Sequence, residues 1–99
     1  MDVELQYFDG CPNWHEALES LQEALSRTGH DDVPVRLHQI ETHEAAIGVG
    51  FLGSPTFLID GIDPFASGAG APGLSCRMYA TPTGLAGCPS IDDLVAALG

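Results

Sequence analysis

Two strand-like segments separated by one long amphipathic helical segment occupy residues 3–38, and this order restricts the fold more than any other feature of the chain. Apolar and polar residues alternate in residues 3–8 and 33–38, as they do in half-buried strands. Pro34 places the second strand at a sheet edge, because proline has no N–H to donate to a neighbouring strand. Between the strands, apolar residues recur at helical spacing and share one face: Trp14, Leu18, Leu21 and Leu25. Two strands joined by a helix predict a right-handed parallel crossover.

The second half of the chain continues the alternation of helices and strands. Thr42 is a candidate N-cap of a short helix, and the continuously apolar residues 56–59 are typical of an interior strand covered on both faces. Residues 62–74, with three glycines and two prolines, predict a loop. Residues 76–79 predict a short strand that pairs antiparallel with the preceding one, and Ser90 caps a last helix. The predicted fold class is α/β, with the order β-α-β-α-β-β-α and a central mixed four-stranded sheet flanked by helices.

The chain is strongly acidic. Its 99 residues, which suit a single domain over residues 1–99, include 14 acidic side chains, three arginines and no lysine, for a formal charge of −11. Such a charge repels nucleic acids and anionic membrane surfaces, which bind clustered basic residues. No apolar run approaches the roughly 20 residues of a membrane-spanning helix, and the acidic N-terminus differs from a basic secretory leader. The sequence predicts a cytoplasmic protein with no nucleic-acid or membrane partner.

Cys11 is the first candidate for chemistry. It follows the first predicted strand and immediately precedes Pro12, which suits a first helical turn. Backbone N–H groups and the helix dipole stabilise an anion at such a position, so the Cys11 thiolate would be favoured there. Asp9 and Glu16 oppose this effect with their negative charge. The alternative is a packed cysteine that acts as a small apolar side chain.

Two segments resemble the thioredoxin superfamily. Residues 7–14 (YFDGCPNW) precede the first helix, and residues 48–56 (GVGFLGSPT) lead into a strand. Residues 87–94 are similar to the turn that opens the last helix of glutaredoxins. More narrowly, the chain resembles small bacterial thioredoxin-like proteins, some of which are labelled alkylmercury lyase. The resemblance implies a thioredoxin-like fold for nearly the whole chain apart from residues 62–75.

The same resemblance assigns roles to individual residues. It places Cys11 at the nucleophilic position and Pro55 at the cis-proline that faces the thiol. It implies that Ser54 and Thr56 help to form the surface that receives a substrate, and Trp14 is a candidate for the rim beside the thiol. The redox interpretation requires that solvent reaches the Cys11 sulfur and that residues 54–56 lie next to it.

The chain lacks the usual Cys-x-x-Cys pair, because Trp14 stands where the second cysteine would be. Cys88 and Cys76 are the remaining candidates for a second thiol. If the last strand runs antiparallel to residues 56–59, Cys88 lies at the same pole as Cys11, and Cys76 lies at the opposite pole unless the intervening loop rearranges the geometry. Cys11 and His15 supply only two metal ligands, fewer than the four of a structural zinc site. We therefore expect neither a metal nor a cofactor.

Three functions remain open on the sequence. The first is thiol–disulfide exchange through Cys11, with a disulfide- or thiol-bearing protein or a small thiol as partner. The second is a thioredoxin-like binding scaffold without enzymatic activity. The third is capture or cleavage of organomercurials, which needs two converging thiols and an acid to protonate the leaving carbon. Asp9 is the candidate acid.

Overall fold

A computed structural model describes residues 1–65 and 73–99 of the chain. The elements in these residues are β1 (Val3–Tyr7), α1 (Trp14–Arg27), β2 (Val35–Gln39), α2 (His43–Val49), β3 (Thr56–Ile59), β4 (Tyr79–Thr81), β5 (Gly84–Ala86) and α3 (Ile91–Leu98). The predicted loop at 62–74 lies partly outside the described residues. No helix in the described part of the chain is both long enough and apolar enough to cross a membrane.

The main sheet has three strands in the order β2-β1-β3. β1 pairs parallel with β2, so the parallel pairing of the first crossover is confirmed, and β2 lies at the predicted edge. β1 also pairs antiparallel with β3, from Gln6 opposite Thr56 to Val3 opposite Ile59. The prediction that residues 56–59 form the interior strand is wrong, because β1 holds that position.

The predicted four-stranded central sheet is also wrong. β4 and β5 form a separate two-stranded antiparallel sheet, so the order in the described residues is β-α-β-α-β-β-β-α. The cause is a local turn between Thr81 and Gly84, two residues that stand opposite each other in the hairpin. Pro82 suits such a turn, and Gly84 supplies a φ of 120°. The Thr81 hydroxyl closes the turn by donating to Gly84 O at 2.6 Å. β4 therefore pairs with its immediate successor and not with β3.

The largest apolar cluster lies between the main sheet and two helices. Side chains from β1, β3, α1 and α3 are fully buried in it, among them Leu5, Phe57, Leu21 and Leu94. A smaller cluster joins α2 to the ends of its neighbouring loops through Ile40, Ala46 and Phe51. Both predicted N-caps are confirmed, since the hydroxyls of Thr42 and Ser90 accept from Ala45 N at 3.0 Å and from Asp93 N at 3.1 Å.

The opposite face of the sheet carries an ionic network across β1 and β2. The Arg36 guanidinium donates to both carboxylate oxygens of Asp2, at 2.9 and 2.8 Å, and lies 3.0 Å from Glu4. Glu4 also accepts from the Gln6 amide at 2.8 Å. Arg36 and Asp2 are exposed, whereas Glu4 is largely covered. The network ties the N-terminus to the edge strand.

Candidate functional site

Cys11 lies in the turn between β1 and α1. Its backbone N–H donates to Phe8 O at 3.1 Å. The helix begins at Trp14 with Asn13 as N-cap, so Cys11 precedes the first helical turn instead of belonging to it. Within the described residues, the hydrogen bonds of the Cys11 sulfur are to Ser54 O and to a second sulfur, and not to backbone N–H groups. Cys11 thus lies at the N-terminal end of α1, two residues before the N-cap, but its sulfur is engaged by Ser54 O and Cys76 and not by the helix N–H groups.

Residues 54–56 do lie beside the thiol. Cys11 Sγ donates to Ser54 O at 3.5 Å, and the Ser54–Pro55 peptide bond is cis. The other requirement fails, since Cys11 is only 1% exposed. The sulfur is in place beside the predicted turn, but solvent does not reach it directly.

The second thiol at this site is Cys76. Its Sγ lies 3.4 Å from Cys11 Sγ, with the Cys76 S–H as donor, and Cys76 itself is exposed. The prediction that Cys76 would lie at the opposite pole is wrong. It assumed that the strand carrying Cys76 pairs antiparallel with residues 56–59, whereas Cys76 forms a single parallel bridge with Ser54.

Three backbone hydrogen bonds hold the segment that carries Cys76, residues 73–77, along residues 51–54. Gly73 N donates to Phe51 O at 3.1 Å, Ser54 N donates to Ser75 O at 2.8 Å, and Arg77 N donates to Ser54 O at 2.9 Å. Both backbone polar groups of Ser54 are thus engaged by the neighbours of Cys76. This pairing places the Cys76 sulfur over the buried Cys11.

The neighbouring sulfur raises the pKa of Cys76. The largest cause is the hydrogen bond to Cys11, followed by desolvation and by repulsion between two negative sulfurs. The Cys76 thiol therefore ionises less readily than an isolated thiol.

Replacement of Cys11 by alanine removes the hydrogen bond to Cys11 and the repulsion between the two sulfurs, both of which raise the pKa of Cys76. We expect the pH midpoint for alkylation of Cys76 by iodoacetamide to move to lower pH, and the rate to rise below the ordinary thiol pKa of about 8.5. The measurement compares Cys88→Ser with Cys11→Ala/Cys88→Ser and locates the label by peptide mass. An unchanged midpoint, or one at higher pH, contradicts the influence of Cys11.

Cys88 lies in a different environment. It is half-buried, packs against the main apolar cluster and lines a cavity of about 420 Å³ together with Glu16, Ser20 and Ile91. Burial raises its pKa, and the charge of Glu16 raises it further. Among the described contacts, neither Cys11 nor Cys76 bonds to Cys88. The loop that carries Cys88 does lie against the N-terminus of α1, since a Cβ on Gly87 would collide with the Asn13 side chain. The thiol hydrogen-bonded to Cys11, however, is that of Cys76.

The other side chains predicted to bind substrate are largely engaged in contacts within the fold. Trp14 is half-buried and stacks on Tyr7 with ring centroids 4.1 Å apart. The buried Thr56 hydroxyl donates to Gly53 O at 2.6 Å. The Ser54 hydroxyl is buried and has no hydrogen-bond partner among the described residues. Only the backbone of Ser54 takes part in the pairing at the thiols.

Arg77 and Gly53 hold residues 73–77 in place, although neither was predicted to belong to the site. Arg77 donates to Asp63 Oδ2 at 2.6 Å and to Phe65 O at 2.8 Å, and its guanidinium lies 4.7 Å from the Tyr79 ring centroid. Gly53 has a φ of 123°, and a Cβ there would lie 3.0 to 3.2 Å from atoms of Ser75 and Arg77. The Gly-Ser-Pro sequence before β3 was the available signal for this close approach.

We expect Gly53→Ala to slow oxidation of Cys11 and Cys76 to a disulfide, because the added methyl pushes the two segments apart. Overpacking of this kind costs about 1–3 kcal/mol of stability. Gly84→Ala is the matched control, since Gly84 has a nearly equal φ of 120° but open space around its Cβ position. Urea unfolding and thiol titration measure both effects. Equal losses in the two variants would mean that only the backbone angle matters.

Within the described residues, no group of three or more histidine, cysteine, aspartate or glutamate side chains is arranged to hold a metal ion. Comparison of the chain with protein-family models, with curated proteins and with solved structures found no match.

Proposed function

We propose that the chain is a thiol–disulfide exchange protein in which the exposed Cys76 attacks the substrate and the buried Cys11 resolves the mixed disulfide. These roles differ from the expected ones, in which Cys11 attacks, so the reaction does not require solvent to reach Cys11 directly. The observation that carries this proposal is the 3.4 Å separation of the two sulfurs. A disulfide bond is about 2.0 Å long, so the two sulfurs need to approach by little more than 1 Å. The exposure of Cys76 makes it the thiol that meets a substrate.

In the reducing direction, the Cys76 thiolate attacks one sulfur of a substrate disulfide. A mixed disulfide forms, and the other substrate sulfur leaves as a thiolate that takes up a proton. Cys11 then loses its proton and attacks the Cys76 sulfur, which releases the second substrate thiol. One substrate disulfide is reduced to two thiols while the two protein thiols are oxidised to one disulfide, so electrons and protons balance.

In the oxidising direction, an external thiolate attacks the exposed Cys76 sulfur of the protein disulfide and Cys11 leaves. The exposure of Cys76 favours cleavage in this sense. The Cys11 thiolate takes up a proton, and a second substrate thiolate attacks the substrate sulfur of the mixed disulfide. The substrate disulfide forms, and Cys76 leaves as a thiolate that takes up a proton. The S–H of Cys76 donates to Cys11 in the reduced product.

The thioredoxin-like resemblance of residues 7–14 and 48–56 supports thiol–disulfide exchange at Cys11, although the burial of Cys11 gives the attacking role to Cys76. The partner is a disulfide- or thiol-bearing protein or a small thiol. The formal charge of −11 disfavours anionic partners.

The organomercurial alternative has less support, because it needs an acid beside both thiols. Asp9 is exposed, and no described hydrogen bond joins it to either sulfur.

The test is exchange with bis(2-hydroxyethyl) disulfide, a neutral probe that the acidic surface does not repel. We expect the reduced protein to release two equivalents of 2-mercaptoethanol and to gain a Cys11–Cys76 disulfide, detected by peptide mass after acid quenching. Cys11→Ala should release one equivalent and stop as a mixed disulfide on Cys76. Cys76→Ser should lose the reaction, because Cys11 is buried.

Cys88→Ser is the matched control and should react like the wild type. Wild-type activity in Cys76→Ser, or a product disulfide that contains Cys88, contradicts the proposal. A wild-type protein that stays reduced in excess probe would instead favour the binding-scaffold alternative.

A further inference from the structure

The separation of the two thiols also indicates which sulfur-binding atom could bridge them with the least movement of the sulfurs. Bonds from sulfur to thiophilic atoms such as zinc are about 2.3 Å long. With the sulfurs 3.4 Å apart, an atom bonded to both would have an S–X–S angle of about 95° at this bond length. A linear two-coordinate atom such as Hg(II) would need the sulfurs about 4.6 Å apart, and a tetrahedral one about 3.8 Å, on the same bond length. An angle close to a right angle is typical of a pyramidal atom that carries a lone pair, as in trivalent arsenic.

We infer that Cys11 and Cys76 form a chelating site for monosubstituted trivalent arsenicals. Such a compound has one bond from arsenic to carbon and two to exchangeable oxygens, so it needs two thiols. This pair supplies two sulfurs in direct contact. The inference uses the same thiols as the proposed function but does not depend on disulfide exchange.

The exposure of the two sulfurs defines the order of the bonds. Cys76 is exposed and bonds arsenic first, and Cys11, which lies beneath it, closes the chelate. The organic substituent then remains on the solvent side of Cys76. Trivalent arsenicals of this type are uncharged near neutral pH, so the formal charge of −11 does not repel them as it repels the anionic pentavalent forms.

The reaction is a ligand exchange with no change in oxidation state. Two As–O bonds break and two As–S bonds form. Each thiol proton leaves with one hydroxyl group as water, so an arsonous acid and two thiols give a dithioarsonite and two waters. No oxidant or reductant takes part.

The test is titration of the reduced protein with phenylarsine oxide, which hydrates to the arsonous acid. We expect one arsenic per chain, loss of two of the three titratable thiols, and reversal by 2,3-dimercaptopropanol. Intact mass and residual thiol content give the stoichiometry, and Cys88→Ser should bind as the wild type does. Cys76→Ser and Cys11→Ala should each bind at least about 100-fold more weakly, because a single thiol loses the chelate.

Two results would overturn the inference. The first is wild-type affinity in either single-thiol variant when circular dichroism shows that variant to be folded. The second is loss of the Cys88 thiol in the wild-type complex. Exchange with the neutral disulfide is measured on the same samples, so the two proposals can fail separately. Arsenical binding without disulfide exchange would support this site and contradict the proposed function. Disulfide exchange without arsenical binding would support the proposed function and contradict this site.

Discussion

Oxidation of the reduced protein to the Cys11–Cys76 disulfide is expected to raise its free energy of unfolding by about 4 kcal/mol. The two cysteines are 65 positions apart in the sequence, so the bond closes a long loop and removes much of the freedom of the unfolded chain. In the folded chain the sulfurs are already in contact, so little native distortion offsets this gain. Guanidinium unfolding of the oxidised and reduced forms measures the difference.

The control for this prediction is the same oxidant applied to Cys76→Ser, which should give no increase. Cys88→Ser should gain as much as the wild type. If the free energy of unfolding of the wild type rises by less than about 1 kcal/mol while the disulfide is verified by mass, strain in the bonded form offsets most of the stabilisation from closing the loop. A disulfide to Cys88 would contradict the geometry of the pair altogether.

Replacement of Arg77 by methionine is expected to lower the free energy of unfolding by about 3 kcal/mol. Arg77 and Asp63 are only 11% and 12% exposed, so removal of the guanidinium leaves a largely buried carboxylate without its partner, a change that costs about 3–5 kcal/mol when burial is complete. The loss of the bond to Phe65 O adds to the effect. Thermal or urea unfolding in reductant, which keeps the thiols unpaired, gives the value.

Arg27→Met is the matched control, because Arg27 pairs with Glu23 on α1 and both side chains are at least half exposed. Exposed pairs at this spacing contribute about 0.3–0.5 kcal/mol. In Arg77→Met/Asp63→Asn, the loss should be smaller than the sum of the single losses, because no unpaired charge remains. Equal destabilisation by Arg77→Met and Arg27→Met would show that burial does not strengthen the Asp63 pair.

The parts of the fold that the sequence predicted well are those whose partners are local. β1, α1 and β2 carry strong side-chain periodicity and follow one another, so their pairing could be inferred from order alone. The two N-caps depend on contacts three residues apart. The hairpin β4–β5 was missed because each strand has only three residues, too few for alternation to be visible.

The site was predicted only in part, again because the parts that were missed depend on contacts between segments that are distant in the sequence. Cys11 and Ser54 were placed together through a resemblance, and their contact is present. The placement of Cys76 at the opposite pole failed because it depended on an assumed strand direction. Residues 73–77 pair with residues 51–54 through backbone groups, which every residue carries, so no side-chain pattern marks the pairing.

The edge strand β2 has a consequence for how this protein behaves at high concentration. In the described part of the chain, its outer backbone groups have no strand to pair with, and such edges invite strands from other molecules. β2 is only five residues long, and the Arg36 guanidinium on it is held by Asp2 and Glu4. A second molecule that added a strand there would have to pair beside the charged Arg36, and a short edge strand that carries charge is a poor template for growth into a continuous intermolecular sheet.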